Sequence, residues 1–164
     1  MNINNQEFEQ LIEDHSRMIY KIAGAYCNIA ADRDDLISEI ILQMWQSVKN
    51  FKHQCKISTW IYRVALNTAM NASRKRKNES LFLRVDFQKT PPNIPIIEAE
   101  YTDELEILYQ CINELSEINK ALILLQLDGK TYDEMAEITG MSKTNVGTRI
   151  NRIKEQLRKM VILK

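Results

Sequence analysis

The sequence predicts an all-α protein with two small helical domains joined by a flexible linker. Apolar residues recur at helical spacing in residues 7–77 and again in residues 102–161. Between them, residues 78–101 contain all 3 prolines of the chain and show no period, which is typical of a linker. No segment alternates apolar and polar residues as a half-buried strand does, and the 164 residues include only 4 glycines. Helices are therefore expected in both domains.

Three helices are predicted in the first domain. The first keeps its apolar residues on one face, and the third is expected to be capped by Ser58 and to bury Trp60. The second begins near residue 32 and carries apolar residues in pairs at every turn from Leu36 to Val48. Such a stripe is wider than one neighbouring helix requires.

A group of polar and acidic residues, called here the acidic shoulder, lies beside the wide stripe of the second helix. It consists of Asp35, Ser38, Glu39 and Gln43. Burial of the helix on two sides explains the apolar residues but not the acidic ones. A docking surface for a helix of another protein explains both, and the two interpretations remain open.

The next segment, NFKHQCKISTWIYRVALNTAMNASRKRK, mixes aromatic, amide and basic residues. Its aromatic rings could stack on bases while its basic side chains follow a phosphate backbone, a combination that suits single-stranded DNA. The alternative is that Phe51 and Trp60 are ordinary core residues, which is the favoured interpretation for Trp60.

In the second domain, helices are predicted near residues 103–115, 117–127, 132–139 and 143–160. The last two have the signature of a helix-turn-helix. Thr131 and Glu134 form a capping box, Gly140 can adopt the left-handed conformation that ends a helix, and Ser142 caps the next helix.

The final helix is predicted to be amphipathic. One stripe consists of Val146, Ile150, Ile153 and Leu157. The other side carries Lys143, Thr144, Asn145, Thr148, Arg149 and Arg152. Basic and amide side chains opposite a buried stripe suit the major groove of DNA. The alternative is a helical hairpin with a solvated polar face.

Charge is segregated along the chain, although 22 basic and 22 acidic residues cancel. Basic residues concentrate at 74–77 and in the last helix, and acidic residues at 32–39 and 98–106. This distribution indicates one surface for phosphates and another for a basic or mixed protein partner.

Several function classes are disfavoured. No nucleophile–base pair, metal-ligand cluster or phosphate loop is recognisable, so neither an enzyme nor a cofactor is expected. His53-Gln54-Cys55 has no second ligand pair nearby. Three scattered cysteines, a polar N-terminus and the absence of a long apolar run indicate a cytoplasmic protein with reduced thiols and no membrane insertion.

Three stretches together resemble a bacterial sigma factor of the extracytoplasmic-function (ECF) type. They are, in order, RDDLISEIILQMWQSVKNF, STWIYRVALNTAMNASRKRK and LDGKTYDEMAEITGMSKTNVGTRINRIKEQLRK. The first resembles the helix that binds the clamp helices of the RNA polymerase largest subunit. The second resembles the segment that melts and reads the −10 promoter element, and the third the domain that reads the −35 element. The two predicted domains are thus similar to sigma regions 2 and 4.

The resemblance implies a role for individual residues. The polymerase contacts would be Asp35, Leu36, Ser38, Glu39 and Gln43. Phe51 and Asn67 match positions that help to hold a flipped base, which needs an apolar wall and an amide. The full −10 set would be Phe51, Lys56, Trp60, Arg63, Asn67, Arg74 and Lys75. The −35 contacts would be Lys143, Thr144, Asn145, Thr148, Arg149 and Arg152.

Two features depart from the family pattern. Gly147 stands where a larger polar or basic residue is common, which predicts that a phosphate contact is missing there. The linker sequence PIIEAEY is more hydrophobic than the polar, acidic linkers expected of the family.

The sequence thus predicts a sigma factor that binds core RNA polymerase, directs it to specific promoters and promotes DNA melting. The resemblance, and not the residue pattern, further implies an anti-sigma factor as a partner. A stand-alone helix-turn-helix regulator is the main alternative, and a helical adaptor that binds only proteins is a second. Neither gives a purpose to every one of the three stretches.

Overall fold

The computed structural model describes residues 4–83 and 103–162. The chain divides between residues 95 and 96 into two units. Within the described ranges, all regular elements are helices, which confirms the predicted fold class. Their bounds are α1 Asn5–Tyr26, α2 Ala30–Val48, α3 Ile57–Leu83, α4 Asp103–Asn113, α5 Glu117–Leu127, α6 Tyr132–Thr139 and α7 Lys143–Ile162.

In the first unit, α1, α2 and α3 pack against one another. A capping box begins α1, because Asn4 Oδ1 accepts from the Glu7 amide and Glu7 Oε2 accepts from the Asn4 amide, both at 2.9 Å. The most deeply buried large side chains are Ile19, Ile22, Leu36, Ile40, Met44 and Ile61. Truncating such a side chain to alanine costs about 2–5 kcal/mol, so this core fixes the three helices.

Helix α3 differs from its prediction at both ends. It begins at Ile57, because the Trp60 amide donates to the Lys56 carbonyl oxygen at 3.1 Å, so Ser58 lies inside the first turn. It continues to Leu83, beyond the predicted domain end at residue 77, since NESLFL contains no helix-breaking proline or glycine. Residues 84–101 of the predicted linker lie outside the described residues, as do the acidic side chains at 98–106.

In the second unit, residues 121–125 of α5 are all buried. Helix α7 packs against α4, α5 and α6, so its inner face is covered by three neighbours. The deeply buried side chains are Ile112, Leu122, Leu125, Met135, Ile150 and Ile153. In neither described range does a helix combine the length and the apolar character needed to cross a bilayer.

Candidate nucleic-acid and protein interfaces

Helices α6 and α7 and the turn between them form the predicted helix-turn-helix. The Thr131 hydroxyl accepts from the Glu134 amide at 3.3 Å, and Glu134 Oε2 accepts from the Thr131 amide at 2.9 Å. Gly140 ends α6 with a φ of 74°. Ser142 Oγ accepts from the Asn145 amide at 3.2 Å and caps α7. The three local signals read from the sequence are therefore confirmed as structure.

The outer face of α7 is open. Its buried stripe is the predicted one: Val146, Ile150, Ile153 and Leu157. Five of the predicted contact residues are exposed, namely Lys143, Thr144, Asn145, Thr148 and Arg152. Thr144, Thr148 and Arg152 follow at intervals of four and share one face. The Thr148 hydroxyl donates to the Thr144 carbonyl oxygen at 3.0 Å, so its oxygen remains available as an acceptor.

Arg149 does not belong to this open face, contrary to the sequence-based prediction. Its side chain is half-buried, beside the buried stripe. Nε donates to Asn145 Oδ1 at 3.3 Å, and Nη1 donates to Asn119 Oδ1 of α5 at 3.4 Å. At 100° per residue, position 149 lies only about 40° from Ile153 around the helix, which places its guanidinium against α5.

On α2, the acidic shoulder is exposed. Asp35, Ser38, Glu39 and Gln43 all reach solvent, and Asp35 and Glu39 lie one turn apart. Leu36, in contrast, is only 2% exposed and belongs to the core. It cannot contact a partner without leaving that core, so in this structure it orients the helix and the polar residues form the surface.

An apolar groove adjoins the shoulder, between α1 and α2. It has a volume of about 440 Å³ and is lined by Asn5, Phe8, Glu9, Ser38, Ile41, Leu42 and Trp45. The rings of Phe8 and Trp45 meet edge to face with centroids 4.9 Å apart. Leu42 is 50% exposed and was not singled out in the sequence, although it is an apolar residue outside the buried stripe. The wide stripe of α2 therefore has a packed side and an open side.

The two aromatic residues assigned to −10 DNA lie inside the first unit. Phe51 is 7% and Trp60 9% exposed, with ring centroids 5.5 Å apart. The Phe51 amide donates to the Val48 carbonyl oxygen at 3.0 Å, which turns the chain back onto the core after α2. The His53 ring lies against the Phe51 ring, with centroids 4.8 Å apart and the planes tilted by 58°. His53 has a φ of 56°, which is uncommon for a residue other than glycine. Neither Phe51 nor Trp60 offers an open stacking face here.

The polar residues around α3 are exposed as expected. They are Lys56, Arg63, Asn67, Arg74 and Lys75. Arg63, Asn67 and Arg74 follow at intervals of four and seven, so they share one face of α3.

Arg76 departs from the rest of the basic block. It is half-buried, and its Nη2 donates to the Tyr26 carbonyl oxygen at 3.0 Å, at the end of α1. Burial raises the pKa of the neighbouring Cys27 thiol, and the Arg76 charge opposes that shift only in part. Arg76 is therefore tied to the interior of the unit, and only its neighbours in the block project into solvent.

No cluster of three or more potential metal ligands occurs among the residues that the structure describes, and His53 and Cys55 belong to none. Cys27, Cys55 and Cys111 are free thiols.

Comparison with known proteins places each unit in a family. Residues 11–79 match Sigma-70 region 2, and residues 105–157 match Sigma-70, region 4. The ECF RNA polymerase sigma-E factor of Haemophilus influenzae is 29% identical over 155 residues, covering 87% of this chain and 82% of that protein. The ECF sigma factor SigE of Mycolicibacterium smegmatis is 25% identical over 155 residues, covering 92% of this chain and 60% of that protein.

The chain belongs to the ECF sigma factors.

The fold of this ECF sigma factor is similar to that of the sigma factor RpoE of Bartonella quintana, solved in complex with the anti-sigma factor NepR. The TM-score is 0.77 at 19% identity, covering 97% of this chain and 99% of that one. This sigma factor spans 60% of the length of its mycobacterial relative.

The candidate surfaces of this ECF sigma factor divide between the two matched regions. Region 2 contains the acidic shoulder of α2 and the exposed face of α3 that carries Arg63, Asn67 and Arg74. Region 4 contains the open face of α7. The groove extends beyond the region 2 match, because Asn5, Phe8 and Glu9 precede residue 11.

Proposed function

We propose that this sigma factor binds core RNA polymerase, directs it to specific promoters and helps to melt promoter DNA. One observation carries the proposal: a single chain holds both region 2 and region 4, each with its own buried core and its own exposed polar face. A stand-alone helix-turn-helix regulator requires only the second of these and leaves the first unexplained.

The polymerase surface lies on α2 in this proposal. Asp35 and Glu39 supply paired negative charge for basic side chains of the clamp helices, while Ser38 and Gln43 supply hydrogen-bonding groups. The adjoining groove supports the same surface, because Ile41, Leu42 and Trp45 add exposed apolar area next to the charges. A polar rim beside a small apolar centre is the usual composition of a protein interface.

The −10 surface lies along α3. Lys56, Arg63, Arg74 and Lys75 would follow the backbone of the melted strand, and Asn67 would supply an amide to a flipped base. Phe51 and Trp60 would act from below this surface, as the packed apolar floor of the base pocket. Direct stacking on the Phe51 ring requires His53, whose ring lies against it, to move.

The −35 surface is the outer face of α7. Thr144, Thr148 and Arg152 face outward together, with Lys143 and Asn145 at the start of the helix. Arg and amide side chains read base edges in the major groove, and basic residues at the margins hold phosphates. Arg149 would act indirectly. Its hydrogen bond to Asn145 would orient that side chain, and its hydrogen bond to Asn119 would hold α7 in a fixed orientation against α5.

Three further assignments belong to the proposal. The protein acts in the cytoplasm, where its polymerase is found. It has no catalytic activity of its own and requires no cofactor. An anti-sigma factor would restrain it, which the structural similarity to a sigma factor solved with NepR supports.

The deciding experiment is transcription in vitro from genomic DNA with purified core RNA polymerase, with and without this protein. The expected result is a set of new start sites that require both components and share sequence elements near −35 and −10. Sequence-specific DNA binding by the protein alone, without any new start site, would instead indicate a stand-alone regulator.

A further inference from the structure

In the helix-turn-helix, one side chain of α6 packs closely against the backbone of α7, which the sequence pattern does not predict. Tyr132, the first residue of α6, lies against Gly147, which is in the second turn of α7. A Cβ atom on Gly147 would lie 3.3 Å from Tyr132 Cε2 and 3.5 Å from Cδ2. Glycine within a helix costs about 1 kcal/mol relative to alanine. Here it leaves room for the ring to approach the helix.

The ring takes the place of a side chain in a row of α7. Lys143, Gly147 and Asn151 follow at intervals of four, so they lie along one edge of the helix. Lys143 and Asn151 are exposed, and the residue after Tyr132, Asp133, bonds the Lys143 amine at 2.7 Å. Tyr132 therefore stands beside the middle position of this row, which Gly147 leaves empty.

The Tyr132 hydroxyl is available to a ligand. The residue as a whole is half-buried. Its hydroxyl has no hydrogen bond to any residue that the structure describes, and it is not among the buried unsatisfied polar atoms. The hydroxyl therefore reaches solvent, while the ring is held against α7.

We propose that the Tyr132 hydroxyl donates a hydrogen bond to a backbone phosphate of the −35 duplex. When a recognition helix enters the major groove, the first helix of the motif crosses the backbone. Tyrosine hydroxyls are among the groups that contact phosphates. In the family pattern, a larger polar or basic residue at position 147 would contact a phosphate. Here the Tyr132 hydroxyl of α6 makes that contact in its place. The proposal rests on the proposed function, because it requires α7 to bind −35 DNA.

The test uses holoenzyme assembled from core RNA polymerase and the full-length chain, with promoter probes of different −35 sequence. Tyr132→Phe removes only the hydroxyl and should weaken binding on the order of tenfold, the expected loss of a hydrogen bond to a charged group. The loss should be equal for all −35 sequences. The salt dependence should not change, because a neutral hydroxyl releases no counterion. Tyr20→Phe, at a 48% exposed tyrosine in the other unit, is the matched control.

A second pair of variants tests the packing. Gly147→Lys alone should weaken binding, because the new side chain meets the Tyr132 ring. Gly147→Lys combined with Tyr132→Ala should restore it and raise the salt slope by about 1, since a lysine then makes the phosphate contact. Full binding by Gly147→Lys alone would overturn the proposed arrangement.

Arg152→Ala separates failure of the inference from failure of the proposed function. If Tyr132→Phe binds as the unmodified protein does while Arg152→Ala binds more weakly, the tyrosine contact is overturned and the −35 function stands. If neither substitution matters and the holoenzyme shows no −35 preference, both are overturned.

Discussion

Lys143 Nζ lies 2.7 Å from Asp133 Oδ2, and both side chains are exposed. The pair joins the start of α7 to the start of α6. An amine that we propose to contact DNA is therefore already held by a carboxylate in the free protein. An exposed ion pair contributes about 0–1 kcal/mol, so a phosphate group can displace the carboxylate.

Asp133→Asn should strengthen −35 DNA binding, because the Lys143 amine then contacts a phosphate without first losing its ion pair with the Asp133 carboxylate. The gain should be at most about fivefold at low salt and should shrink as salt rises. Titration of labelled promoter DNA with holoenzyme at several salt concentrations measures it. Glu137→Gln, an exposed position on the same helix, removes the same charge. An equal gain in both variants would indicate a general charge effect and not the Lys143 pair.

Asp35→Lys combined with Glu39→Lys should abolish most binding to core RNA polymerase, because two adjacent attractions on one face of α2 become repulsions. Both positions are exposed, so the fold should survive, as circular dichroism can establish. Glu13→Lys with Asp14→Lys makes the same charge change on exposed positions of α1. Normal core binding by the α2 double variant, with its helicity unchanged, would show that this face is not the docking surface.

Asn67→Ala should impair promoter opening more than initial promoter binding, and permanganate reactivity of unpaired thymines reports opening. Asn67 is exposed, so its loss should change the free energy of unfolding by less than about 0.5 kcal/mol. Phe51→Ala should instead destabilise the first unit by about 3–5 kcal/mol, because its ring is buried. A stable Asn67→Ala protein that melts promoters normally would leave Asn67 without a role in base capture.

Arg149→Ala should weaken binding to all −35 sequences alike, because Arg149 fixes the recognition helix and does not read a base in this arrangement. The loss of its two side-chain hydrogen bonds should destabilise the second unit by about 1–3 kcal/mol. Asn119→Ala should reproduce part of both effects. A promoter library selected with Arg149→Ala provides the measurement. Relaxed preference at a single −35 base pair would instead assign Arg149 a direct base contact.

Cys27 should be unreactive towards iodoacetamide in the folded protein at pH 8, whereas half-exposed Cys55 should react. Burial raises the pKa of the Cys27 thiol above its value in the unfolded chain, so the folded state favours the protonated form. The resulting stability is present below the ordinary thiol pKa of about 8.5 and is lost as the pH rises through the folded value. Alkylation followed by peptide mass analysis tests the reactivity. Cys27→Ala should reduce the stability loss at alkaline pH, and an unchanged loss would contradict this assignment.

The sequence by itself determined the features that depend on residues within a few positions of one another. The capping box of Thr131 and Glu134, the left-handed Gly140 and the stripe from Val146 to Leu157 all arise within one or two helical turns. Such contacts recur wherever the local pattern recurs, because helix geometry alone brings positions three and four apart together. The same holds for the exposed acidic shoulder of α2.

Only the tertiary structure decided which residues of each pattern remain exposed. Arg149 contacts Asn119, 30 positions away, and Arg76 contacts Tyr26, 50 positions away. The sequence alone therefore does not distinguish a basic residue that contacts a neighbouring helix from one that is exposed to DNA. Phe51 belongs to the core because α3 packs on α2, whereas burial of Trp60 was already the interpretation favoured from the sequence. Tyr132 lies against Gly147 because α6 packs on α7. The physical reason is that packing between helices is set by the shapes of distant segments, which no local spacing encodes.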